Sequence, residues 1–370
     1  MAFVARLGTR RLPGLLAASL MCAGCGLGGT AGTTGSTGVS APSGTGAVSS
    51  TTSARNNSIP PMPLTAPLHT WPGEVIPTAI GTYVAWQVKY PETMLSRIDP
   101  ATGRLVDTVR LAGNFVQAVE AGGSLWVLDQ TTTGDLLERR DPANLSLIGS
   151  RRLGNGVAGP AGSLVPVGSY LWVAGGPQPL QLSLPQGSLV RSLSLPPGVH
   201  DYSLGGGQAS TLIVDYQAGL GSVYFELVSA DTGNLIAKSD AGLLFPVTSP
   251  RVSAIADGGF WISVATGMQG YIERMQTPSL RLQLSTKMEG SNGISASVAD
   301  GVLWVTQGAG GPTRNYCGDP ATGHPYATFA AAIGSSGFLT AVGGGHYFLS
   351  SSSNEKVVAE YSIPRICARP

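Results

Sequence analysis

Short apolar runs separated by glycine-rich turns recur along most of this chain. Four of them read almost alike: GSLWVLD at Gly123–Asp129, GSYLWV at Gly168–Val173, GFWIS at Gly259–Ser263 and GVLWVT at Gly301–Thr306. Looser copies stand at Tyr83–Trp86, Thr211–Asp215 and His346–Leu349. Aligned on the aromatic or its substitute, the anchors are Trp86, Trp126, Trp172, Ile213, Trp261, Trp304 and Phe348, about 40 to 48 residues apart. The runs are apolar on both sides of the anchor, as strands covered on both faces are. No long stretch after residue 60 has the 3.6-residue apolar period of an amphipathic helix.

A second pattern keeps the same register. Asp99-Pro100-Ala101-Thr102-Gly103 is repeated verbatim at Asp319–Gly323, and variants occur at Asp141–Asn144, Ala230–Asn234 and Thr277–Ser279, with Leu184–Gly187 the most divergent. Asp accepts bonds from backbone N–H groups ahead of it, Pro fixes φ, and Gly supplies positive φ where the chain reverses. In the first unit this predicts strands at Thr78–Ile80, Tyr83–Gln87, Leu95–Ile98 and Leu105–Val109. Seven units at this pitch predict an all-β fold, a seven-bladed β-propeller with four-stranded blades over residues 60–370. The last unit supplies three strands only, at Ala341–Val342, His346–Ser350 and Lys356–Ser362. The segment Pro63–Trp71 is the expected donor of its missing outer strand, which would remove a frayed edge.

The first 59 residues have a different character. Arg6, Arg10 and Arg11 precede a short apolar run, Leu12–Met21, too short to span a bilayer. Residues 1–24 are therefore expected to be a signal peptide. Met21-Cys22-Ala23-Gly24-Cys25 resembles a bacterial lipobox, which would make Cys25 the lipidation site, its thiol carrying diacylglycerol and acylation of the palmitate kind. A plain secretory signal with a chance cysteine is the other reading. Residues 25–59 are almost wholly Gly, Ser, Thr, Ala and Pro, which cannot bury enough apolar surface to offset chain entropy. As a flexible linker their reach is roughly 30 Å. Tether, spacer and globular body favour a protein held on the extracytoplasmic face of a bacterial cell membrane.

Composition narrows the function more than it defines it. With 52 glycines, 12% charged residues and a formal net charge of +1, the chain has no basic field to recruit nucleic acid. A monomer is expected. Beyond the two signal cysteines only Cys317 and Cys367 remain, and an exported chain meets oxidising conditions, so a disulfide is favoured over two free thiols. The four histidines, His69, His200, His324 and His346, show no zinc spacing, and no metal site or cofactor is expected.

The Leu-Trp-Val strands and Asp-Pro-Ala-Thr-Gly turns resemble the seven-bladed YVTN/NHL-type and streptogramin-lyase-like propellers of bacterial exported proteins, over about residues 72–366. The resemblance implies architecture. The lyases' Trp-Phe-Thr-Glu strand is absent, and no His and Glu pair here matches their catalytic set. The expected function is thus a non-catalytic binding or interaction scaffold, with an envelope protein or a small molecule as partner. The alternative is a lyase or hydrolase at one mouth of the channel. Candidate binding residues follow the apolar strands at similar places in different units: Asp129, Gln130, Asp215, Tyr216 and Gln307, joined by His200 before the fourth unit.

Overall fold

The computed structural model describes residues 72–89, 92–99, 104–154, 163–174, 177–199, 201–206, 211–217, 222–239, 243–244, 251–256, 258–266, 269–288, 294–299, 301–307, 314–330, 337–343, 346–351, 358–362 and 367. The signal, Cys25, the linker and Pro63–Trp71 lie outside them. The described residues all belong to the compact unit Thr52–Pro370.

Six antiparallel sheets are built alike, each a meander of four consecutive strands. Blade 1 holds β1 Pro72–Pro77, β2 Thr82–Lys89, β3 Glu92–Ile98 and β4 Leu105–Arg110. Blade 2 holds β5 Asn114–Ala121, β6 Ser124–Thr131, β7 Gly134–Arg140 and β8 Leu147–Gly154. Blade 3 holds β9 Ser163–Val167, β10 Tyr170–Ala174, β11 Leu180–Ser183 and β12 Leu189–Ser192. Blade 4 holds β13 Asp201–Gly206, β14 Thr211–Gln217, β15 Ser222–Ser229 and β16 Leu235–Lys238, with the short β17 Leu243–Leu244 also on β15. Blade 5 holds β18 Arg251–Ala256, β19 Gly259–Thr266, β20 Gln269–Gln276 and β21 Arg281–Met288. Blade 6 holds β22 Ile294–Ala299, β23 Val302–Gln307, β24 Arg314–Gly318 and β25 Pro325–Ala330. A further sheet has three strands, β26 Gly337–Gly343, β27 His346–Ser351 and β28 Val358–Ser362. First strands of successive blades pack together from β1 through β5, β9, β13, β18 and β22, and β26 packs against both β23 and β1. The fold is a β-propeller with six four-stranded blades among the described residues, where seven were expected. The three-stranded sheet stands where the incomplete seventh unit was placed.

The core is a series of layers between blades. Tyr83, Ala85 and Leu95 of blade 1 meet Leu125, Val127 and Leu145 of blade 2. Trp126 and Leu128 meet Leu171, Val173 and Leu182 of blade 3. Trp172 meets Val214, Val228 and Ala230 of blade 4, and Ile213 and Phe225 meet Phe260, Ile262 and Leu280 of blade 5. Trp261 meets Leu303 and Val305 of blade 6. Covered on both faces, the second strands must be apolar throughout, which is what the Leu-Trp-Val runs encode.

Four third-to-fourth-strand turns among the described residues close in one way. In each, the first residue (Asp141, Ser183, Ser229 or Asp319) donates its N–H to a carbonyl five residues on and accepts from the N–H four residues on. In Asp141 and Asp319 the side chain also accepts from Ala143 and Ala321. The fifth position is left-handed in these four, at Leu145 (φ 61°), Gly187 (75°), Gly233 (72°) and Gly323 (71°), and at Leu280 (50°), whose N–H donates to the Gln276 carbonyl in the blade 5 turn.

These turns lie on the anchor aromatic of the blade before. Tyr83 donates its hydroxyl to the Pro142 carbonyl (2.7 Å), Trp172 its Nε1–H to Ala230 (3.2 Å) and Trp261 its Nε1–H to Pro320 (2.8 Å). A Cβ on Gly187 would stand 2.6 Å from the Trp126 ring, and one on Gly323 2.8 Å from Trp261. Where the earlier blade offers Tyr83 or Ile213 instead, the turn carries Leu145 or Leu280, buried in the same layer. The indole and the turn residue are thus complementary in volume, and the strand motif and the turn motif share a register because they touch.

This register corrects two expectations. The anchor of blade 1 is Tyr83, which pairs with Arg97 as Trp126 pairs with Arg139; Trp86 lies three residues further on. Thr78–Ile80 is not a strand. The Thr78 hydroxyl accepts from the N–H groups of Ile80 and Gly81 and closes the β1–β2 turn, so the first strand is Pro72–Pro77.

The chain end follows the same geometry. Cys317 faces Trp304 across the β23–β24 ladder and bonds to Cys367, both wholly buried. Tyr347 pairs with Tyr361, and Cys367 stands as far after Tyr361 as Gly323 stands after Cys317. The disulfide therefore joins the final sheet to blade 6 at the position where other junctions set a turn residue on an aromatic. It spans a separation of 50 residues. Replacing both cysteines by alanine is expected to cost roughly 4 kcal/mol through loop entropy. Urea unfolding of the oxidised parent and the double variant measures this; equal stabilities would contradict it.

Candidate functional site

Asp129 and Tyr216 occupy one structural position, three residues beyond the anchor of the second strand, shared with Trp86 in blade 1. The position faces a neighbouring blade. Asp129 is 0% exposed and Tyr216 2%, so neither is offered to a ligand at an open mouth, contrary to the reading from sequence. Gln130, on the opposite face of β6, is exposed. Asp215 and Gln307 are on β14 and β23, their backbones paired with Ser203 and Ile294. His200 lies outside the described residues. The sequence-selected residues among those described are spread over three blades.

What they reveal is a recurring diagonal pair. In blade 1, Trp86 Nε1–H donates to Ser96 Oγ at 3.0 Å. In blade 4, Tyr216 Oη–H donates to Glu226 Oε1 at 3.0 Å. Blade 2 places two carboxyls there, Asp129 and Glu138. Glu138 is held by Arg140 (Nη2 to Oε2, 2.6 Å), and Arg140 also donates to the Leu145 carbonyl. Neither carboxyl oxygen of Asp129 has a hydrogen-bond partner among the described residues. Burial pushes Asp129 up to about 8, and the Glu138 charge pushes the same way. The nearby Ala112 N–H, outside hydrogen-bond geometry, and Arg140 oppose this only in part. Asp129 is thus a neutral acid at pH 7, close-packed in an interblade layer.

Three buried glutamates were missed from sequence: Glu138, Glu226 and Glu273, each at the same place in the third strand. Glu273 accepts from Ser285 Oγ at 3.0 Å, and burial raises its carboxyl above the usual range. The available signal was the glutamate three residues before each turn start, in LLERRD, YFELVS and YIERMQ.

One open concave feature among the described residues is a groove of about 580 Å3 between blades 3 and 4. Arg191 and the segment Leu193–Pro196 form one wall, and Glu226, Val228, Thr232 and Leu235 the other. Arg191 donates Nη1–H to the Thr232 carbonyl, while its buried Nε–H has no partner. Glu226 binds Lys238 Nζ at 3.2 Å besides the Tyr216 hydroxyl. Lys238 lies over the Tyr216 and Tyr224 rings, 5.4 and 5.8 Å from their centroids. The bond to Tyr216, ahead of that to Glu226, raises the Lys238 ammonium above its ordinary value against its desolvation. The groove thus offers apolar contact along its length, a guanidinium in one wall and a fixed carboxylate in the other. No group of three or more His, Cys, Asp or Glu side chains among the described residues forms a metal site.

No protein-family model and no curated protein sequence matches the chain. Solved structures do. The computationally designed Ika8 protein superposes with a TM-score of 0.54 at 10% identity, over 81% of this chain and 98% of that one. The Pan2 WD40 domain of Neurospora crassa superposes with a TM-score of 0.56 at 12% identity, over 81% and 92%. At such identity the likeness concerns the fold, and it agrees that this chain is a β-propeller.

Asp129 supplies a pH test. Its folded value is raised above the unfolded one, so the stability linked to its proton is complete below about 3.8 and is lost as pH rises through about 8. Asp129→Asn, a neutral stand-in for the acid, should be more stable than the parent near pH 9, with the gap closing progressively toward about pH 4. Thermal unfolding across that range reads it, and a gap independent of pH would contradict the assignment.

Proposed function

We propose that this protein is a non-catalytic binding scaffold: a lipid-anchored, seven-bladed propeller on the extracytoplasmic face of a bacterial membrane, which takes an extended segment of an envelope protein in the groove between blades 3 and 4. The seven-blade count follows from reading β26–β28 as a blade completed by a strand from before β1; the contact of β26 with β1 supports it. Cys25 and the linker supply the anchor and spacer in this reading.

The observation that carries the binding role is the groove. An extended peptide presents alternating side chains and a row of backbone carbonyls. Leu193, Leu195 and Leu235 suit apolar side chains, and the positive charge of the Arg191 guanidinium in the wall suits a carbonyl or carboxylate. The Glu226–Lys238 pair is already satisfied within blade 4, so it shapes the wall instead of seeking a partner.

Panning a library of extended peptides against the full chain tests this. Enriched peptides should bind Arg191→Ala about tenfold more weakly, the loss of roughly 1.4 kcal/mol for one good polar contact, and should bind Asp129→Asn unchanged. Failure to enrich any peptide, or affinity indifferent to Arg191, would contradict the groove as the binding surface.

A further inference from the structure

We infer that the outer rim of blades 2, 3 and 4 is a contact surface for an anionic lipid membrane. The observation is a repeat in the fourth strands. Immediately after each turn, two consecutive aliphatic residues are exposed: Leu147 (53%) and Ile148 (48%), Leu189 (50%) and Val190 (42%), Leu235 (56%) and Ile236 (49%). All three pairs stand at the same end of the blades, on outermost strands. Each is followed by cations: β8 reads LIGSRRLG, β12 LVRS and β16 LIAK, with no acidic residue in any of them.

Three of these four cations meet neutral acceptors. Arg151 donates to the Gly187 carbonyl and Arg152 to the Thr133 hydroxyl, both neutral acceptors. Arg191 likewise meets a carbonyl, and only Lys238 is paired with an acid. Positive side chains alone would be accounted for as guards against edge-to-edge strand pairing. They do not account for a pair of exposed aliphatic residues on three successive edges. Strand propensity favours β-branched residues but does not require the first two positions to face water.

Aliphatic tips beside guanidinium groups are the chemistry of the membrane interface. The apolar side chains enter the headgroup–acyl boundary, and the cations meet lipid phosphates. A dissolved polyanion would reward the arginines but leave the Leu, Ile and Val tips in water. No helix among the described residues is long and apolar enough to cross a bilayer, so the contact is with its surface. The inference gains from the proposed tether at Cys25, which would hold the rim within roughly 30 Å of lipid, but its surface chemistry stands without it.

The test uses the full chain with vesicles of phosphatidylglycerol or phosphatidylcholine that carry a photoactivatable lipid, and maps crosslinks by residue. The expected result is crosslinking at Leu147–Gly154 and Leu189–Ser192 in phosphatidylglycerol, weak in phosphatidylcholine and suppressed by salt. Arg152→Glu should lower crosslinking at the rim by about fivefold or more, the factor for about 1 kcal/mol per basic residue near the surface. Leu147→Ser with Leu189→Ser should lower it as well, while Arg152→Lys should retain it. Vesicle attachment, read separately, reports on the anchor. Chains attached to phosphatidylglycerol vesicles without rim crosslinks would overturn the rim inference and leave the anchor standing. Unattached chains that still crosslink at the rim would support the rim and count against the anchor. Equal crosslinking to both lipids, or capture of an acidic protein at these residues in place of lipid, would overturn the assignment to an anionic membrane.

Discussion

Every blade junction whose contacts are described between blades 1 and 6 rests on one kind of contact: the anchor residue on the second strand of one blade meets the outer hairpin turn of the next. A four-stranded sheet with two apolar faces has no stable isolated state in water, since each face needs cover. The turn residue fixes how the next sheet sits. Where the anchor is Trp126 or Trp261, only glycine leaves room for the ring. Where it is Tyr83 or Ile213, a buried leucine fills the space in the same left-handed backbone position. That leucine accepts strain that an L-residue ordinarily avoids, and burial of its side chain offsets the cost. In the last described sheet's unit the same position falls to Cys367, where a covalent bond to Cys317 takes the place of packing.

This arrangement also explains where the polar groups are. The second and third strands are sandwiched, so a polar side chain there must find its partner within the layer. Tyr216 with Glu226 and Trp86 with Ser96 do so. Arg140 reaches both Glu138 and the Leu145 carbonyl, tying the buried acid to the turn of its own blade. Asp129 has no such partner and is held neutral by its surroundings. Surfaces available to other molecules are therefore confined to the loops, the grooves between outer strands, and the outer strands themselves. The groove between blades 3 and 4 and the aliphatic rim beside it occupy two of these.

Much of the architecture was legible because two independent sequence patterns kept step, the apolar second strand and the turn. The errors came where residue type was followed in place of register. Trp86 was aligned as an anchor because it is a tryptophan, yet the pairing of Tyr83 with Arg97 places Tyr83 there. The first strand was hidden because prolines stand at both its ends, and the threonine that closes its turn looked like strand. The Cys317–Cys367 bond was readable from export and the number of cysteines. Candidate site residues were read least well. Asp129 and Tyr216 follow apolar runs just as exposed loop residues do, and nothing local distinguishes a buried interblade acid from a turn cap. The groove depends on two blades meeting, which no single repeat encodes. The exposed aliphatic pairs were visible as strand residues, but their exposure required knowing that the fourth strand is the edge.

The most direct measurement is a double-mutant cycle on the blade 5 to blade 6 junction, using Gly323→Ala and Trp261→Leu with unfolding free energies for all four proteins. If the turn lies against the ring as described, the added methyl of Gly323→Ala should cost about 2–4 kcal/mol beside Trp261, from clash and left-handed strain together. In the Trp261→Leu background the clash is relieved and only the strain remains, giving a coupling energy of about 1–3 kcal/mol. Additive effects of the two substitutions would contradict the claim that anchor and turn residue are fitted to each other.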